Sequence, residues 1–328
     1  MKKLFLSAAF LAASLASQAQ QAPLWMRYPA ISPDGKTIVF SYKGDIYSVP
    51  ATGGEARQLT TNAAHDSYPI WSPDGKKIAF ASNREGSFDV YVMSAHGGAP
   101  TRITTNSERE IPVAFKDNDH VLFSANIMPT AESNLFASRE FSQVYEVSTQ
   151  GGRPKLYSVI PMEDISINAK GQVLYHDSKG YEDPWRKHHT SPITRDIWML
   201  DNGKYQKITA FKGEDRTPVW AADGESFYYL SEQAGSFNIY HRNIATGKDV
   251  QLTHEKKNPI RFLTSSADGL LCYGYDGEIY TVKEGAQPQK VNISITADND
   301  EPSLVRQVRS WGATEIALSP DAKEVAFV

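Results

Sequence analysis

The sequence contains few features of disulfide-linked or nucleic-acid-binding proteins. Its 328 residues include a single cysteine, Cys272, which excludes an intramolecular disulfide, and the surrounding run Leu270-Leu271-Cys272-Tyr273 indicates a core position. The net charge is −4, and no cluster of Lys and Arg alternates with stacking aromatic residues. We therefore expect no nucleic acid partner.

Familiar catalytic motifs are also missing from the sequence. There is no G-x-S-x-G elbow, no H-E-x-x-H pair, no phosphate-binding loop and no Cys/His spacing suited to zinc. The adjacent His188 and His189 make a poor joint metal site, because neighbouring side chains on an extended chain point in opposite directions, and we interpret them as loop surface. The acidic residues Asp298, Asp300 and Glu301 lack the Gly and Glu positions of a calcium loop and indicate a solvated linker. The sequence assigns no catalytic residue, metal ligand or cofactor.

The only long apolar run lies at the N-terminus. Residues 1–19 combine Lys2 and Lys3, an apolar centre from Leu4 to Leu15, and small residues before a cleavage point, a pattern typical of a secretory signal peptide. A retained anchor is the alternative, but the run is short for a bilayer. We expect an exported, soluble chain in a bacterial periplasm, with no membrane span after cleavage.

One unit of about 40 residues organises the rest of the sequence, and it is clearest from Trp71 to Thr105. Ser72-Pro73-Asp74-Gly75 predicts a tight turn between two strands, and Gly97-Gly98 predicts a turn between a third and a fourth. The third strand recurs six times, as Asp45-Ile46-Tyr47, Asp89-Val90-Tyr91, Gln143-Val144-Tyr145, Asp196-Ile197-Trp198, Asn238-Ile239-Tyr240 and Glu278-Ile279-Tyr280.

A four-stranded repeat of this length is typical of a β-propeller blade, which needs neighbours on both faces. The sequence therefore predicts an all-β, six-bladed propeller of four-stranded antiparallel blades over residues 24–295; a β-solenoid is the alternative fold. Residues 296–312 would form a linker, and residues 313–328 the first strands of a second, truncated propeller. An unpaired strand edge at that point favours a longer parent protein.

The blade boundaries predict how the ring closes. The first blade starts at its inner strand, with Tyr28-Pro29 matching Tyr68-Pro69, and the sixth ends at an outer strand. We therefore expect closure without strand exchange, resting on side-chain packing between blades one and six.

Two insertions interrupt the regular pattern, at Ala125 to Ser142 in blade three and at His176 to Arg195 in blade four. The second contains Asp183, Trp185 and Arg186, for which both ligand binding and packing onto the ring are open. Antiparallel pairing puts both insertions on the face that carries the loops between blades.

The repeat pattern SPDGK-x-I-x-F, IY and GG-x-x-x-x-LT resembles the WD40-like propeller repeats of TolB, the prolyl oligopeptidase group and the tricorn protease. Lys179-Gly180-Tyr181, followed later by Thr194-Arg195-Asp196-Ile197-Trp198, is similar to the tricorn segment in which a W-K-G-Y run precedes a T-R-G-K-I-W strand. The order of parts also resembles tricorn, whereas TolB places an α/β domain before its propeller.

This resemblance implies the N-terminal propeller of an S41-type serine peptidase that trims peptides, with its catalytic core beyond Val328. It implies peptide substrates, the catalytic domains of the same polypeptide and a homo-oligomer as partners, and no catalysis by these 328 residues alone. In the family, two adjacent arginines before blade three hold the substrate's C-terminal carboxylate. Arg109, between Glu108 and Glu110, matches one of them.

Two other functions remain open at the level of sequence. One is a non-catalytic, TolB-like periplasmic scaffold that binds proteins. The other is a propeller lyase or glycosidase, which would need carboxylates and His on the inner strands, where Pro and apolar residues predominate in the sequence.

Overall fold

The computed structural model describes residues 23–127, 142–180, 190–296 and 315–327. The chain divides into two units at Ile295 and Thr296. No helix occurs among these residues, so none of them forms a helical segment with the length and apolarity to cross a bilayer.

The first unit is a ring of six blades, each a four-stranded antiparallel sheet whose strands pair in chain order, which confirms the predicted fold class. From the innermost to the outermost strand, the blades are β1 (Arg27–Ile31), β2 (Thr37–Tyr42), β3 (Asp45–Pro50) and β5 (Arg57–Gln58); β6 (Asp66–Trp71), β7 (Lys77–Glu85), β8 (Ser87–Ser94) and β9 (Thr101–Arg102); β10 (Ile111–Phe115), β11 (His120–Ala125), β12 (Gln143–Ser148) and β13 (Lys155–Ser158); β14 (Met162–Ile167), β15 (Val173–Asp177), β16 (Ile197–Asp201) and β17 (Lys204–Lys207); β18 (Asp215–Trp220), β19 (Ser226–Ser231), β20 (Asn238–Asn243) and β21 (Asp249–Gln251); β22 (Arg261–Ser265), β23 (Leu271–Tyr275), β24 (Glu278–Val282) and β25 (Gln289–Lys290).

Two further strand pairs lie outside the blades. β4 (Gly54–Glu55) pairs in parallel with β26 (Ile293–Ser294), and β27 (Ile316–Leu318) pairs with β28 (Val325–Phe327) in the second unit. In that hairpin Ile316, Leu318 and Val325 are exposed. Its assignment to a second propeller stays a prediction.

The Ser-Pro-Asp-Gly turns form because the side chains satisfy the backbone locally. In blade two, Ser72 Oγ donates to Asp74 Oδ1 at 2.7 Å, and Asp74 Oδ1 accepts from Lys76 N at 3.1 Å. Gly75 has a φ of 68°, a left-handed conformation that glycine adopts at little cost. The same Ser–Asp hydrogen bond closes the corresponding hairpins of blades one and six, from Ser32 to Asp34 and from Ser266 to Asp268.

The core consists of apolar layers between neighbouring blades, with aromatic pairs inside the sheets. Five blades pair an aromatic residue of the second strand with one of the third at ring-centroid separations of 5.7–5.9 Å: Phe40–Tyr47, Phe80–Tyr91, Phe123–Tyr145, Tyr229–Tyr240 and Tyr273–Tyr280. Such a pair adds about 0.5–1.5 kcal/mol beyond its buried area. Cys272 is fully buried between blades six and one, as predicted, and burial raises the pKa of its thiol.

A threonine after the outer strand links it to the third strand in four blades. Its hydroxyl accepts a backbone N–H from the third strand at 2.8–2.9 Å, and the pairs are Thr60 with Ile46, Thr104 with Val90, Thr209 with Ile197 and Thr253 with Ile239. These threonines are buried, so the hydroxyl satisfies an amide that the short outer strand leaves unpaired. This role explains why Leu-Thr or Ile-Thr recurs at the end of the repeat.

Backbone hydrogen bonds contribute to ring closure, contrary to the prediction of side-chain packing alone. Gly54 N donates to Asn292 O at 2.9 Å where β4 meets β26, and Met26 N donates to Gly277 O of blade six at 3.1 Å. A Cβ at Gly53 would lie 2.6 Å from Asn292 O, so this close approach requires glycine. The other part of the prediction holds, since each described blade contains consecutive strands without exchange.

Several sequence predictions fall outside the described residues. These are the signal peptide, residues 128–141 of the first insertion, most of the acidic linker with Asp298, Asp300 and Glu301, and the residues Asp183, Trp185, Arg186, His188 and His189 of the second insertion. The roots of both insertions are described. Ser124 pairs with Ile111 and Asp177 with Met162, so the insertions leave their blades at the end where the inner strands begin.

Candidate functional site

The inner strands surround the ring axis, and each has an irregular pairing near its start. In five blades the residue at this bulge has a φ of 49–61°, and these residues are Tyr28, Tyr68, Asp164, Thr217 and Phe262. In blade three the equivalent position is Pro112, whose ring fixes φ near −65° and excludes this conformation. A left-handed residue that is not glycine costs about 1–3 kcal/mol and often marks a functional site. We call the end of the ring at which the inner strands begin the mouth.

Three of the bulge residues are aromatic and contact one another across three blades. The rings of Tyr28 and Tyr68 stack with centroids 4.0 Å apart, and Phe262 meets the Tyr28 ring edge-on at 4.8 Å. All three side chains are partly exposed. We call Tyr28, Tyr68 and Phe262 the aromatic wall of the mouth.

Arg109 lies beside this wall, in the loop that leads into blade three. Its Nη2 donates to Tyr68 Oη at 3.2 Å, and its Cζ lies 5.7 Å from the centroid of the Tyr68 ring and 5.6 Å from that of Phe88. Contacts with ring faces orient the planar guanidinium while leaving it exposed. Arg109 is therefore a cation with a fixed orientation whose guanidinium remains exposed to solvent.

The Tyr68 hydroxyl completes the polar edge of the aromatic wall. It accepts hydrogen bonds from Arg109 Nη2 and from Tyr28 Oη, the latter at 3.1 Å. Burial and the neighbouring Tyr68 raise the pKa of Tyr28, so its phenol remains a donor at neutral pH. A phenol oxygen has two lone pairs and one hydrogen, so the Tyr68 hydrogen can serve a bound anion next to Arg109.

The acidic neighbours of Arg109 differ in their environments. Glu110 is fully buried, and burial raises the pKa of its carboxyl to about 7, with the Asp89 carboxylate adding to the rise. Asp89 is also fully buried and forms an ion pair with Arg102 Nη2 at 2.9 Å. The raised pKa keeps part of the Glu110 population protonated near neutral pH, which weakens its repulsion of an anion at Arg109. Only Glu108 of the two neighbours is exposed.

The opposite side of the mouth is polar. In blades four and five the bulge residues are Asp164 and Thr217, and Thr217 Oγ1 donates to Asp164 Oδ2 at 2.6 Å. Charged and polar side chains of the same two blades surround them, and together they form what we call the polar wall: Glu163, Asp164, His176, Arg195, Glu214, Arg216 and Thr217.

Within the polar wall, most charges are paired with one another. Glu163 Oε2 lies 3.0 Å from His176 Nε2 and 3.3 Å from Arg195 Nε, and the fully buried Glu214 forms ion pairs with Arg195 and Arg216. Burial alone would raise the pKa of Glu163, but the hydrogen bond with His176 and the charges of His176 and Arg195 lower it to about 2. The polar wall is thus a network that joins blades four and five.

Ser226, His241 and Glu284 form a second cluster. They contact one another in the sequence serine–histidine–carboxylate, as in a serine hydrolase triad, but the serine is buried. His241 Nε2 lies 2.7 Å from Ser226 Oγ, and His241 Nδ1 lies 3.1 Å from Glu284 Oε1. Ser226 is 1% exposed, and its hydroxyl donates to the Asp223 carboxylate at 2.8 Å. This hydroxyl cannot reach a substrate, so the cluster secures the turn before β19.

The structure extends the sequence prediction for the site. Arg109 was predicted as a carboxylate contact, and the structure places it against Tyr68. The aromatic wall was missed, although Tyr28-Pro29 and Tyr68-Pro69 were matched as repeats. The expectation of mostly Pro and apolar inner strands is wrong at the mouth, where Glu163, Asp164 and other charged residues lie. Among the residues that the structure describes, no group of His, Cys, Asp and Glu is arranged to hold a metal ion.

Comparisons with known proteins agree with this fold. A family model described as the tricorn protease N-terminal beta propeller domain matches residues 23–288. The crystal structure of the tricorn protease gives a TM-score of 0.69 at 20% identity over 93% of this chain, which spans only 29% of that one. TolB from Acinetobacter baumannii gives 0.57 at 16% identity, covering 79% of this chain and 61% of that chain. A puromycin hydrolase gives 0.53 at 13% identity, covering 85% and 48%.

No curated protein matches the sequence. The solved structures are less than 25% identical to this chain, so their similarity shows the fold alone. The family model matches most of the chain, over the residues that form the six blades. On that basis, the chain belongs to the family of the tricorn protease N-terminal beta propeller domain.

Proposed function

We propose that this chain is the substrate-handling propeller of an exported tricorn-like serine peptidase of the S41 type, whose catalytic domains belong to the same polypeptide. Family membership supports the peptidase context. The pattern of residues 1–19 supports export to the periplasm. The observation that carries the substrate-handling role is the Arg109 guanidinium, which is oriented at the mouth by Tyr68 and Phe88.

The chemistry of this corner suits the C-terminal carboxylate of a peptide. A guanidinium presents parallel N–H donors that match the two oxygens of a carboxylate. Tyr68 adds an O–H donor on the same side, and the partial protonation of Glu110 limits repulsion. An internal peptide bond carries no negative charge and gains less from this site, so the mouth favours the free C-terminus of a peptide over its internal bonds.

The polar wall does not offer an equivalent cation site. Its Arg195 and Arg216 are mostly buried and contact Glu214. Binding a carboxylate there would require these ion pairs to break, which carries a large free-energy cost in a buried setting. Arg109, by contrast with these two arginines, combines exposure with a fixed orientation.

The proposal is tested by peptide binding to the purified chain. Fluorescein-labelled peptides of one sequence, with either a free carboxylate or a C-terminal amide, are titrated by anisotropy. We expect the free acid to bind roughly fivefold more tightly, about 1 kcal/mol for a charge-assisted contact at an exposed group. Arg109→Ala should abolish this difference.

Arg153→Ala is the matched control. Arg153 is exposed and follows the Gly151-Gly152 turn at the opposite end of the ring, so its removal changes the net charge equally but should leave the acid-to-amide ratio unchanged. Equal affinity of the parent chain for both peptides would contradict the proposal. Tight binding of folded envelope proteins without any carboxylate preference would instead favour a TolB-like scaffold.

A further inference from the structure

We infer that the aromatic wall is a specificity site for the side chain of the peptide's C-terminal residue, and that it takes an aromatic or large apolar group. This inference deepens the proposed function and rests on it. The geometry that points to it is a continuous surface in which Arg109, Tyr68, Tyr28 and Phe262 follow one another by direct contact.

The aromatic wall differs from the rings that build the core. Core rings such as Phe80 and Phe123 are fully buried between strands, whereas Tyr28, Tyr68 and Phe262 retain exposed ring surface at the mouth. Three adjacent rings that remain partly exposed at the mouth form a surface for an apolar ligand group.

The backbone gives a second indication. A bulky residue with positive φ is a conformational outlier, and all three rings occupy such positions. Asp164 occupies the equivalent position in blade four, so the bulge itself does not require an aromatic side chain. At these bulges the three rings contact one another, and the Phe262 ring also packs against Gly274 of its own blade.

The proximity of the aromatic wall to Arg109 indicates which peptide residue the wall would contact, namely the C-terminal one. The side chain of a C-terminal residue begins at the carbon atom that carries the carboxylate, so both groups reach the protein together. Tyr68 contacts Arg109 through its hydroxyl and Tyr28 through its ring face. A carboxylate held at Arg109 therefore brings its own side chain within reach of the aromatic wall.

The test uses free-acid peptides of one sequence that end in Phe, Leu or Ala. Stacking on the wall predicts a preference of roughly threefold to tenfold for Phe over Ala, with Leu between them. In Tyr28→Asn the preference should fall to about one, because Asn tolerates the left-handed backbone while removing the ring. The acid-to-amide difference should persist in this variant because Arg109 and Tyr68 are retained, but loss of the hydrogen bond from Tyr28 to Tyr68 should reduce it.

Three further variants separate recognition from folding. Tyr28→Phe keeps the ring and should keep the preference. Thr217→Asn changes the same bulge position in the polar wall and should have no effect. Phe262→Asn removes the ring on the other side of Tyr28 and should lower the preference, so the inference remains testable if one variant fails to fold by circular dichroism.

The outcomes for the two proposals are distinguishable. Equal affinity of the parent chain for Phe- and Ala-ending free acids, with the acid-to-amide difference intact, would overturn this inference and leave the Arg109 proposal standing. If the parent chain showed neither the acid-to-amide difference nor the Phe-to-Ala difference, both proposals would be contradicted. A Phe preference that survives Tyr28→Asn and Phe262→Asn would place recognition elsewhere and overturn the inference.

Discussion

The aromatic wall and the polar wall both contain bulge residues of the inner strands, but their side chains have different kinds of partner. In the aromatic wall, Tyr28 and Phe262 contact each other and remain partly exposed, and the neighbouring Arg109 is exposed. In the polar wall, Glu214 and Arg195 are buried and form ion pairs within the protein. One backbone feature thus serves two purposes, because the bulge fixes the direction of a side chain and the residue type fixes its partners.

This difference indicates that the polar wall mainly stabilises the fold and the aromatic wall mainly binds a ligand. A network whose charges are mutually paired stabilises the fold and offers little to a ligand, since binding would require existing pairs to break. A wall with exposed rings beside an oriented cation contributes less to stability and more to recognition. Stability and pH profiles should therefore differ between the two walls, and three measurements test this.

The largest effect is expected from Glu214→Gln in the polar wall. The carboxylate is fully buried and pairs with Arg195 and Arg216, so its neutralisation leaves two mostly buried guanidinium groups without that countercharge. We expect the free energy of unfolding to fall by about 3–5 kcal/mol in urea titrations. Arg109→Ala, the comparison at the aromatic wall, should stay within about 0.5 kcal/mol of the parent. A similar fall in the free energy of unfolding in both variants would contradict the proposed difference between the two walls.

The second effect concerns Glu110, beneath the aromatic wall. Its folded pKa of about 7 lies above the unfolded value of 4.5, so its contribution to stability is complete below pH 4.5 and is lost as the pH rises through 7. Glu110→Gln should therefore equal the parent at pH 4.5 and exceed it by about 2–3 kcal/mol at pH 8. Urea titrations across this range measure the difference. Glu108→Gln, an exposed neighbour, is the control, and parallel curves for Glu110→Gln and the parent would refute the assignment.

Glu163 in the polar wall should show the opposite pH dependence with a smaller magnitude. Its folded pKa of about 2 lies below the unfolded value, so its contribution is present above pH 4.5 and is lost as the pH falls through 2. Because its side chain is 44% exposed, we expect Glu163→Gln to cost only about 1–2 kcal/mol at pH 7. The gap should narrow on acidification in thermal unfolding scans. Glu225→Gln, at an exposed carboxyl on blade five, should show no such trend; a constant gap for Glu163→Gln would contradict the pairing with His176.

Much of the propeller could be predicted from the sequence because its signals are local. The Ser72-Pro73-Asp74-Gly75 turn closes through bonds between neighbours in the chain, and the aromatic position of the third strand repeats at a fixed spacing. The closure of the ring was predicted less well. The pairing of β26 with β4 involves very short segments that are far apart in sequence, and neither has an alternating pattern.

The site was only partly predictable for a similar reason. Arg109 could be identified because it occupies the loop before blade three, but nothing in its flanking sequence indicates that Tyr68 and Phe88 hold it. The polar wall escaped detection because Glu163, Arg195 and Glu214 come from three separated segments, so no spacing connects them.

The repeat, the number of blades and the residues available at each bulge can be read from the amino-acid order, since they depend on turn chemistry and on a period of about 40 residues. Which of those residues contact one another depends on the folded ring. Ring closure brings Phe262 of blade six to Tyr28 of blade one, and the burial of Glu110 beside Asp89 sets its protonation. Contacts and desolvation depend on distances across the ring, and the order of residues along the chain does not contain them.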